Sequence, residues 1–372
     1  MKIAHVVTYI SSDGAFGGPV TVARAHCAAL AELGHEVSLL AASDIDRPKR
    51  LVVDGYEEVL FPARRFSSKL GFAGMHSPEL RSHLKDRARH FDVAHIHLAR
   101  DMVTLPAAHQ FQRDRVPYFA QPHGMIDGSK HPLAPIVDSL MTKRLLEGAQ
   151  NVFCLTRNEE AEIRALCESA SIARIANGVQ IAPLPSYGDR EQEVLFLARL
   201  HPRKRAQAFV HMAELLAPDY PSLQFSVVGP DEGDGSAVRM LIDRIGSPAI
   251  QIEDGLRPED ARSRLHAARV YVLPSVGEIF PMTMLEAFAA GTPTVCTDSL
   301  GIAEAARNYG AALVTDGSPE QLAEAVRSVL DSDQVAEQLR QGAHDYLLSE
   351  LDIKDVALGL ERLYQDARQS NG

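Results

Sequence analysis

Short, almost unbroken apolar runs recur along the chain, each followed by a longer segment in which apolar residues return every three or four positions. That alternation marks parallel strands joined by crossover helices, because a strand covered on both faces has no polar side to show. In the first half it predicts strands at 3–7, 36–40, 93–96, 118–120, 152–155 and 172–175. A helix is predicted over 19–33, with Pro19 near its first turn and Gly34 just past its end. The stretch 177–189, NGVQIAPLPSYGD, mixes Gly and Pro without periodicity and reads as a linker. The pattern then restarts, with strands near 194–197, 223–228, 250–252, 270–273, 294–296 and 312–314 and helices from about Pro319 onward. The expected fold is α/β: two doubly wound Rossmann-like domains, 1–180 and 190–350, facing a central cleft, with ligands at the carboxyl ends of the strands.

Composition narrows the function. With 372 residues, 45% of them hydrophobic, the chain holds more apolar material than one core usually takes. A formal net charge of -11 disfavours nucleic acid as a partner. Cys27, Cys154, Cys167 and Cys296 are scattered without a C-x-x-C pair, which fits a reduced, cytoplasmic setting. The N-terminal MKIAHVVTYI reads as a first buried strand, because no small-residue cleavage site follows it. No run reaches the roughly 18 uncharged apolar residues of a membrane span, so membrane contact is expected to be peripheral at most. Residues 61–90 reverse the overall sign: Arg64, Arg65, Lys69, Arg81, Lys85, Arg87 and Arg89 stand against Glu79 and Asp86. They are a candidate surface for a lipid-linked acceptor or the inner face of a membrane, the alternative being a solvated loop and basic helix.

The richest chemistry lies in LPSVGEIFPMTMLEAFAAGTP, residues 273–293. A helix beginning near Met282 would offer its N-terminal dipole to an anion such as a diphosphate. Glu278 would lie in the loop beside that anion, and Glu286 about 6 Å into the helix. A carboxylate accepts two hydrogen bonds from a vicinal diol, and hydroxyls, then phosphates, then hydroxyls is the order found in a nucleotide sugar. The competing reading is a capping acid and an ordinary surface glutamate. In FLARLHPRKRA, Arg199 and Lys204 follow a strand and can neutralise a leaving diphosphate where other enzymes use Mg²⁺, unless they belong to a solvated basic turn. Gly14, Gly17 and Gly18 in DGAFGGPV do not match G-x-G-x-x-G, yet they would let backbone approach a phosphate.

His97 in VAHIHLA and His123 in QPHGM are candidates to face the cleft, to hydrogen-bond a sugar hydroxyl or to take part in proton transfer; a satisfied local role competes equally. Zinc is not expected, since His95 and His97 find no third ligand at helical or hairpin spacing. Asp44 and Asp46 read as a surface turn and not as a metal-binding pair. The chain has no phosphate loop of the G-x-x-x-x-G-K-[ST] type, no H-E-x-x-H and no G-x-S-x-G.

Together these motifs resemble the retaining GT-B glycosyltransferases of glycosyltransferase family 4, the bacterial polysaccharide and glycoconjugate type, over nearly the whole chain. The most specific match is E-x7-E, Glu278 to Glu286, joined by A-R-L-x-P-x-K, the Gly-Gly turn and H-G-M. The resemblance implies that Glu278 contacts the donor sugar and Glu286 the ribose. It implies that Arg199 and Lys204 bind the diphosphate, Gly17 and Gly18 admit it closely, and His123 lies beside the transferred sugar. Leu256 would meet the base, while Phe280, Pro281, Met282 and Thr283 would line the phosphate and sugar side. A UDP- or GDP-sugar donor, a carbohydrate or lipid-linked acceptor, no metal cofactor and a C-terminal helix (353–369) crossing back to the first domain follow from the same likeness. Two departures stand out: Arg205 replaces the usual glycine after the lysine, and Leu300 and Ala303 replace the Gly and Pro of a loop in which Gly301 and Glu304 remain. A sugar-nucleotide 2-epimerase and a non-catalytic sugar-nucleotide-binding protein are the rival readings.

Overall fold

The computed structural model describes residues 1–11, 17–66, 74–126, 134–185, 187–188 and 190–370; Gly14 and the 67–73 portion of the basic segment, with Lys69, lie outside them. Its contacts divide into two units, Met1–Gly178 with Ile353–Gly372, and Val179–Asp352.

In the first unit the strands are β1 (Lys2–Ile10), β2 (Glu36–Ser43), β3 (Lys49–Val53), β4 (Tyr56–Pro62), the two-residue β5 (Arg64–Arg65) and β6 (Met75–His76), β7 (Val93–Ile96), β8 (Tyr118–Ala120), β9 (Val152–Cys154) and β10 (Ile172–Arg174). The helices around them are α1 (Gly17–Glu32), α2 (Pro78–Arg87), α3 (Thr104–Arg113), α4 (Ala134–Val137), α5 (Lys143–Gly148) and α6 (Arg157–Leu166). The main sheet runs β10-β9-β8-β7-β1-β2-β4-β3 and is parallel except for β3. Its two faces sort β1 by alternation: Ala4 and Val6 join the core that holds Leu84 and Phe111, while Ile3 and Val7 pack with Cys27 and Leu30 of α1. The second face is completed by Leu360 and Tyr364 from the last helix of the chain, Ile353–Ser370.

β3 and β4 have no counterpart among the predicted strands. They form a hairpin whose central Asp54 and Gly55 have φ of 45° and 82°, the double positive turn that Asp-Gly favours. The alternation is obscured because Glu58 is buried, its two oxygens each 3.0 Å from the guanidinium of Arg24 on α1. Phe61 belongs to this core and packs 5.1 Å from His83, so it is not part of a surface patch. Arg64 pairs with Glu79 at 2.7 Å.

The second unit holds β11 (Glu191–Leu197), β12 (Gln224–Val228), β13 (Ile250–Glu253), β14 (Ala268–Leu273), β15 (Thr294–Thr297) and β16 (Leu313–Thr315), all parallel in the order β13-β12-β11-β14-β15-β16. Its helices are α7 (Ala206–Leu216), α8 (Gly235–Ile245), α9 (Pro258–Ala267), α10 (Met282–Ala289), α11 (Ala303–Asn308), α12 (Pro319–Leu330) and α13 (Asp333–Glu350), after which α14 (Ile353–Ser370) belongs to the first unit. The segment read as a linker is packed rather than free. Tyr187 lies 5.1–5.6 Å from the guanidinium carbons of Arg190, Arg269 and Arg340, and Arg340 donates to the Pro185 carbonyl. Among the described residues no helix is long and apolar enough to cross a membrane.

One close crossing fixes the carboxyl edge of this sheet. Gly229, with φ of 156°, lies so near Ala198 that an added Cβ would overlap its carbonyl oxygen. Gly229→Ala should therefore destabilise the protein by about 3 kcal/mol or more, read as a lower urea midpoint. Gly18→Ala, where an added Cβ meets nothing within 4 Å, should stay within about 1 kcal/mol of the parent.

Candidate active site

The second unit assembles its polar side chains at the carboxyl ends of β11, β12, β14 and β15. After β11 the chain makes a tight turn, Pro202–Lys204, capped by Arg205 in the left-handed region at φ 55°. That conformation explains why glycine is the usual residue there: a side chain at this φ is strained unless its surroundings hold it. Arg205 is held, since its guanidinium lies against Gly317, where an added Cβ would meet it.

The turn aims Lys204 at the loop before α10. Its Nζ lies 2.6 Å from Glu278 Oε2, with both side chains largely buried. Burial pulls the ammonium below its ordinary pKa, and Glu278 works against that shift. The other carboxylate oxygen, Glu278 Oε1, is buried without a hydrogen-bond partner among the described residues, as is the Ser275 hydroxyl. An acceptor left bare in this way is costly unless a ligand supplies the donor. Glu278 is also fixed through its backbone, because the Gly301 N–H donates to its carbonyl at 2.8 Å.

Arg203 is a positioning residue that the sequence reading passed over. Its guanidinium donates to the Gly277 carbonyl, and its own carbonyl accepts from the Val276 N–H at 2.9 Å. The lysine turn and the glutamate loop are thus stitched together on both sides of the ion pair. Arg199 is less free than expected: its Nη1 lies 2.9–3.0 Å from both oxygens of Glu232, in the loop after β12. Any diphosphate binding to Arg199 would compete with that carboxylate.

α10 begins at Met282, behind Pro281, and its first turn is anchored by Thr283, whose hydroxyl accepts from buried Tyr271 at 3.0 Å. Phe280 is half-buried and Pro281 buried beside it. Glu286 follows one turn into the helix, half-buried, and burial pushes its carboxyl up to about 7. Leu256 sits in the loop after β13, where Gly255 lies so close to Pro230 that a Cβ would crowd its ring. Leu300 and Ala303 are buried apolar contacts, whereas Gly301 and Glu304 are exposed.

In the first unit Gly17 and Gly18 open α1. His123 follows β8 in a left-handed turn at φ 52°, and the next residue, Gly124, has φ of 72°. The turn is held by Glu159, whose oxygens accept from Gly124 N–H at 2.6 Å and Leu155 N–H at 2.7 Å. His123 Nε2 lies 2.7 Å from His97 Nδ1, and burial lowers His123 to about 3, so its ring is neutral near pH 7. His97, the other histidine considered for the cleft, is buried, as is His95, and both its ring nitrogens have imidazole partners, His5 and His123. Nitrogens of His5, His26 and His97 do lie within 4.8 Å of one another, two imidazoles beside His97 that sequence spacing hid because strand pairing brings in His5 and the packing of α1 brings in His26. Asp44 and Asp46 are exposed, and all four cysteines are free and buried.

A family model described as glycosyl transferases group 1 matches residues 191–332, and one described as a glycosyl transferase 4-like domain matches 17–178. Among curated relatives, glycogen synthase from Mycobacterium tuberculosis is 30% identical over 209 residues, covering 54% of this chain and 50% of that one. D-inositol 3-phosphate glycosyltransferase from Geodermatophilus obscurus is 27% identical over 281 residues, 68% of this chain and 62% of that one. The chain thus spans about half the length of the first of these relatives. Sucrose-phosphate synthase from Thermosynechococcus elongatus superposes with a TM-score of 0.77 at 18% identity, over 99% of both chains. HepE from Anabaena, in complex with UDP and glucose, gives 0.76 at 16% identity, over 98% of this chain and 100% of that one. These neighbours are GT-B structures, and each of the two family models falls on one of the two units. The chain therefore joins a glycosyl transferase 4-like domain in its first unit to a glycosyl transferases group 1 domain in its second, and has the GT-B fold, built from two Rossmann-like units.

Proposed function

We propose that the protein moves a hexosyl unit from a nucleoside diphosphate sugar to a carbohydrate or lipid-linked acceptor, with retention at the anomeric carbon and no metal ion in the reaction. The observation that carries this reading is the pairing at Glu278: one oxygen is held by Lys204, and the other is buried with no partner among the described residues. A sugar hydroxyl supplies the missing donor, and the second oxygen of a vicinal diol adds a further contact. Lys204, beside the glutamate, is placed to take the negative charge that develops on a departing diphosphate, and Arg199 adds to it on release from Glu232. Glu286, one turn into α10, is the proposed ribose acceptor. His123 is proposed to hydrogen-bond a hydroxyl of the sugar from the first unit, and Leu256 to meet the base through its backbone.

A uridine donor is supported by HepE, solved with UDP and glucose, and by the Escherichia coli trehalose-6-phosphate structure bound with UDP-2-fluoro glucose. A carbohydrate acceptor is supported by the name of the glycogen synthase relative. A cytoplasmic location is proposed on the reduced, scattered cysteines, and contact of 61–90 with a membrane surface on their basic side chains.

A thermal-shift panel of UDP-, GDP- and ADP-sugars tests the donor class, since a ligand at 100 times its Kd adds about 2.7 kcal/mol of stability. Glu278→Gln should lower kcat by about 100-fold or more with UDP affinity retained; turnover near that of the parent would remove Glu278 from the mechanism.

Glu286 gives a signed pH dependence. Its folded pKa, about 7, lies above the ordinary carboxyl value, so its contribution to stability is present in acid and is lost as pH rises through 7. Glu286→Gln should raise the melting temperature at pH 8, the underlying gain in stability being at most about 3 kcal/mol, and the gain should vanish near pH 4.5. The same substitution should weaken donor binding, and binding by the parent should weaken below pH 7, where the carboxyl loses its charge. Equal melting differences at both pH values would reject the assignment.

A further inference from the structure

Five histidines cluster at one face of the first unit's sheet, four from its strands and strand ends and His26 from α1, and three of them form an unbroken hydrogen-bonded file. His5 on β1 is the register partner of His95 on β7, and His97 and His123 follow the ends of β7 and β8. His5 Nδ1 is 3.2 Å from His97 Nε2, and His97 Nδ1 is 2.7 Å from His123 Nε2. The rings of His97 and His123 stack at 5.0 Å and 7°. Burial holds all three well below the ordinary imidazole pKa, so each ring carries one N–H and one lone pair.

Two neutral imidazoles that share a hydrogen bond cannot choose their tautomers independently. If His5 is protonated on Nδ1, it donates to His97 Nε2; His97 then donates from Nδ1 to His123 Nε2, and the His123 proton sits on Nδ1. The opposite order reverses every bond and puts an N–H on His5 Nε2. That nitrogen is buried and has no partner among the described residues. Orphaned buried N–H groups are rarer than unsatisfied acceptors, so the first order is the favoured one. No neighbour rescues it: His26 donates from Nε2 to the Asn177 carbonyl at 3.0 Å, but its Nδ1 lone pair, like His5 Nε2, has no hydrogen-bond partner among the described residues, and His95 spends Nε2 on Gln121 Oε1 at 3.0 Å and Nδ1 on the Tyr364 hydroxyl at 2.6 Å.

We propose that His5 and His97 are positioning residues that lock His123 in the Nδ1–H tautomer, so that His123 meets its ligand as a neutral hydrogen-bond donor and not as a proton acceptor. The ligand atom is then an oxygen with a free lone pair, such as a sugar hydroxyl oxygen; only that identity rests on the proposed function. A proton-transfer role for His123 at Nδ1 is replaced by an orienting one. The His5, His26 and His97 nitrogens could suit a metal ion by distance alone, but His97 already spends both ring nitrogens on His5 and His123.

The test is long-range ¹H–¹⁵N correlation on the full chain labelled at histidine, with the His123 signals identified by their loss in His123→Gln. The proposal expects an Nδ1–H ring at position 123 in the parent and a mixture of tautomers in His5→Leu and in His97→Asn. In a transfer assay with the donor found by the thermal-shift panel, His5→Leu should lower kcat by about tenfold with KM changed less than about twofold. His5→Asn, whose amide reaches the place of Nδ1, should recover most of that loss. An Nε2–H ring at His123 in the parent, a tautomer unmoved by His5→Leu, or stoichiometric Zn²⁺ retained after dialysis and lost in His26→Ala would each overturn the proposal. Failure of every sugar nucleotide to bind would count against the proposed function alone, because the tautomer measurement needs no donor.

Discussion

A parallel sheet covered by helices on both faces has no wet side, and this constraint governs where polar groups can go in both units. Chemistry is pushed to the strand ends, where loops meet solvent, and any polar side chain left farther in must find a partner in protein. The second unit answers with a lysine and a glutamate brought to 2.6 Å at the carboxyl edge. The first answers with stacked imidazoles, whose neutral rings tolerate burial that a charged side chain would resist.

The Lys204–Glu278 pair should not be read as a stabilising brace. Removing two charges from water is costly, and a short ion pair recovers that cost only when the remaining valences are also satisfied. Here one is not, since Glu278 Oε1 has no partner among the described residues. The arrangement is better understood as a site held in a strained electrostatic state by rigid neighbours: Arg203 on the loop carbonyl, Gly301 on the glutamate backbone and Tyr271 on the first turn of α10. Preorganisation of this kind spares a ligand the ordering of its own binding groups.

Much of this was legible in the sequence, and what was not has a consistent cause. The strands of the second unit were readable because doubly buried runs such as Val194–Leu197 contain no polar interruption. The β3–β4 hairpin was not, because Val52 faces solvent at 83% exposure while Glu58 is buried, so polarity and burial disagree at both positions. Asp54-Gly55 was the available signal. Glu278, Glu286 and Lys204 were legible as residue types at telling spacings, yet the competitor of Arg199 was not, since Glu232 approaches from a different loop. The histidine file was hidden for the same reason: the paired residues of β1 and β7 are 90 apart in sequence and become neighbours only through strand register.

The place of α14 in the chain has a consequence for how the molecule is made. It follows every residue of the second unit in chain order yet completes the core of the first, where the Tyr364 hydroxyl meets His95 Nδ1 at 2.6 Å. During synthesis the second unit is whole before the first can close. Until α14 arrives, α1 covers only part of this face of the sheet, and the ground around His95 and Phe119 that Tyr364 later closes stays open, a temporary apolar and imidazole-bearing surface that a ribosome-bound chaperone or a stray metal ion would be the first to meet.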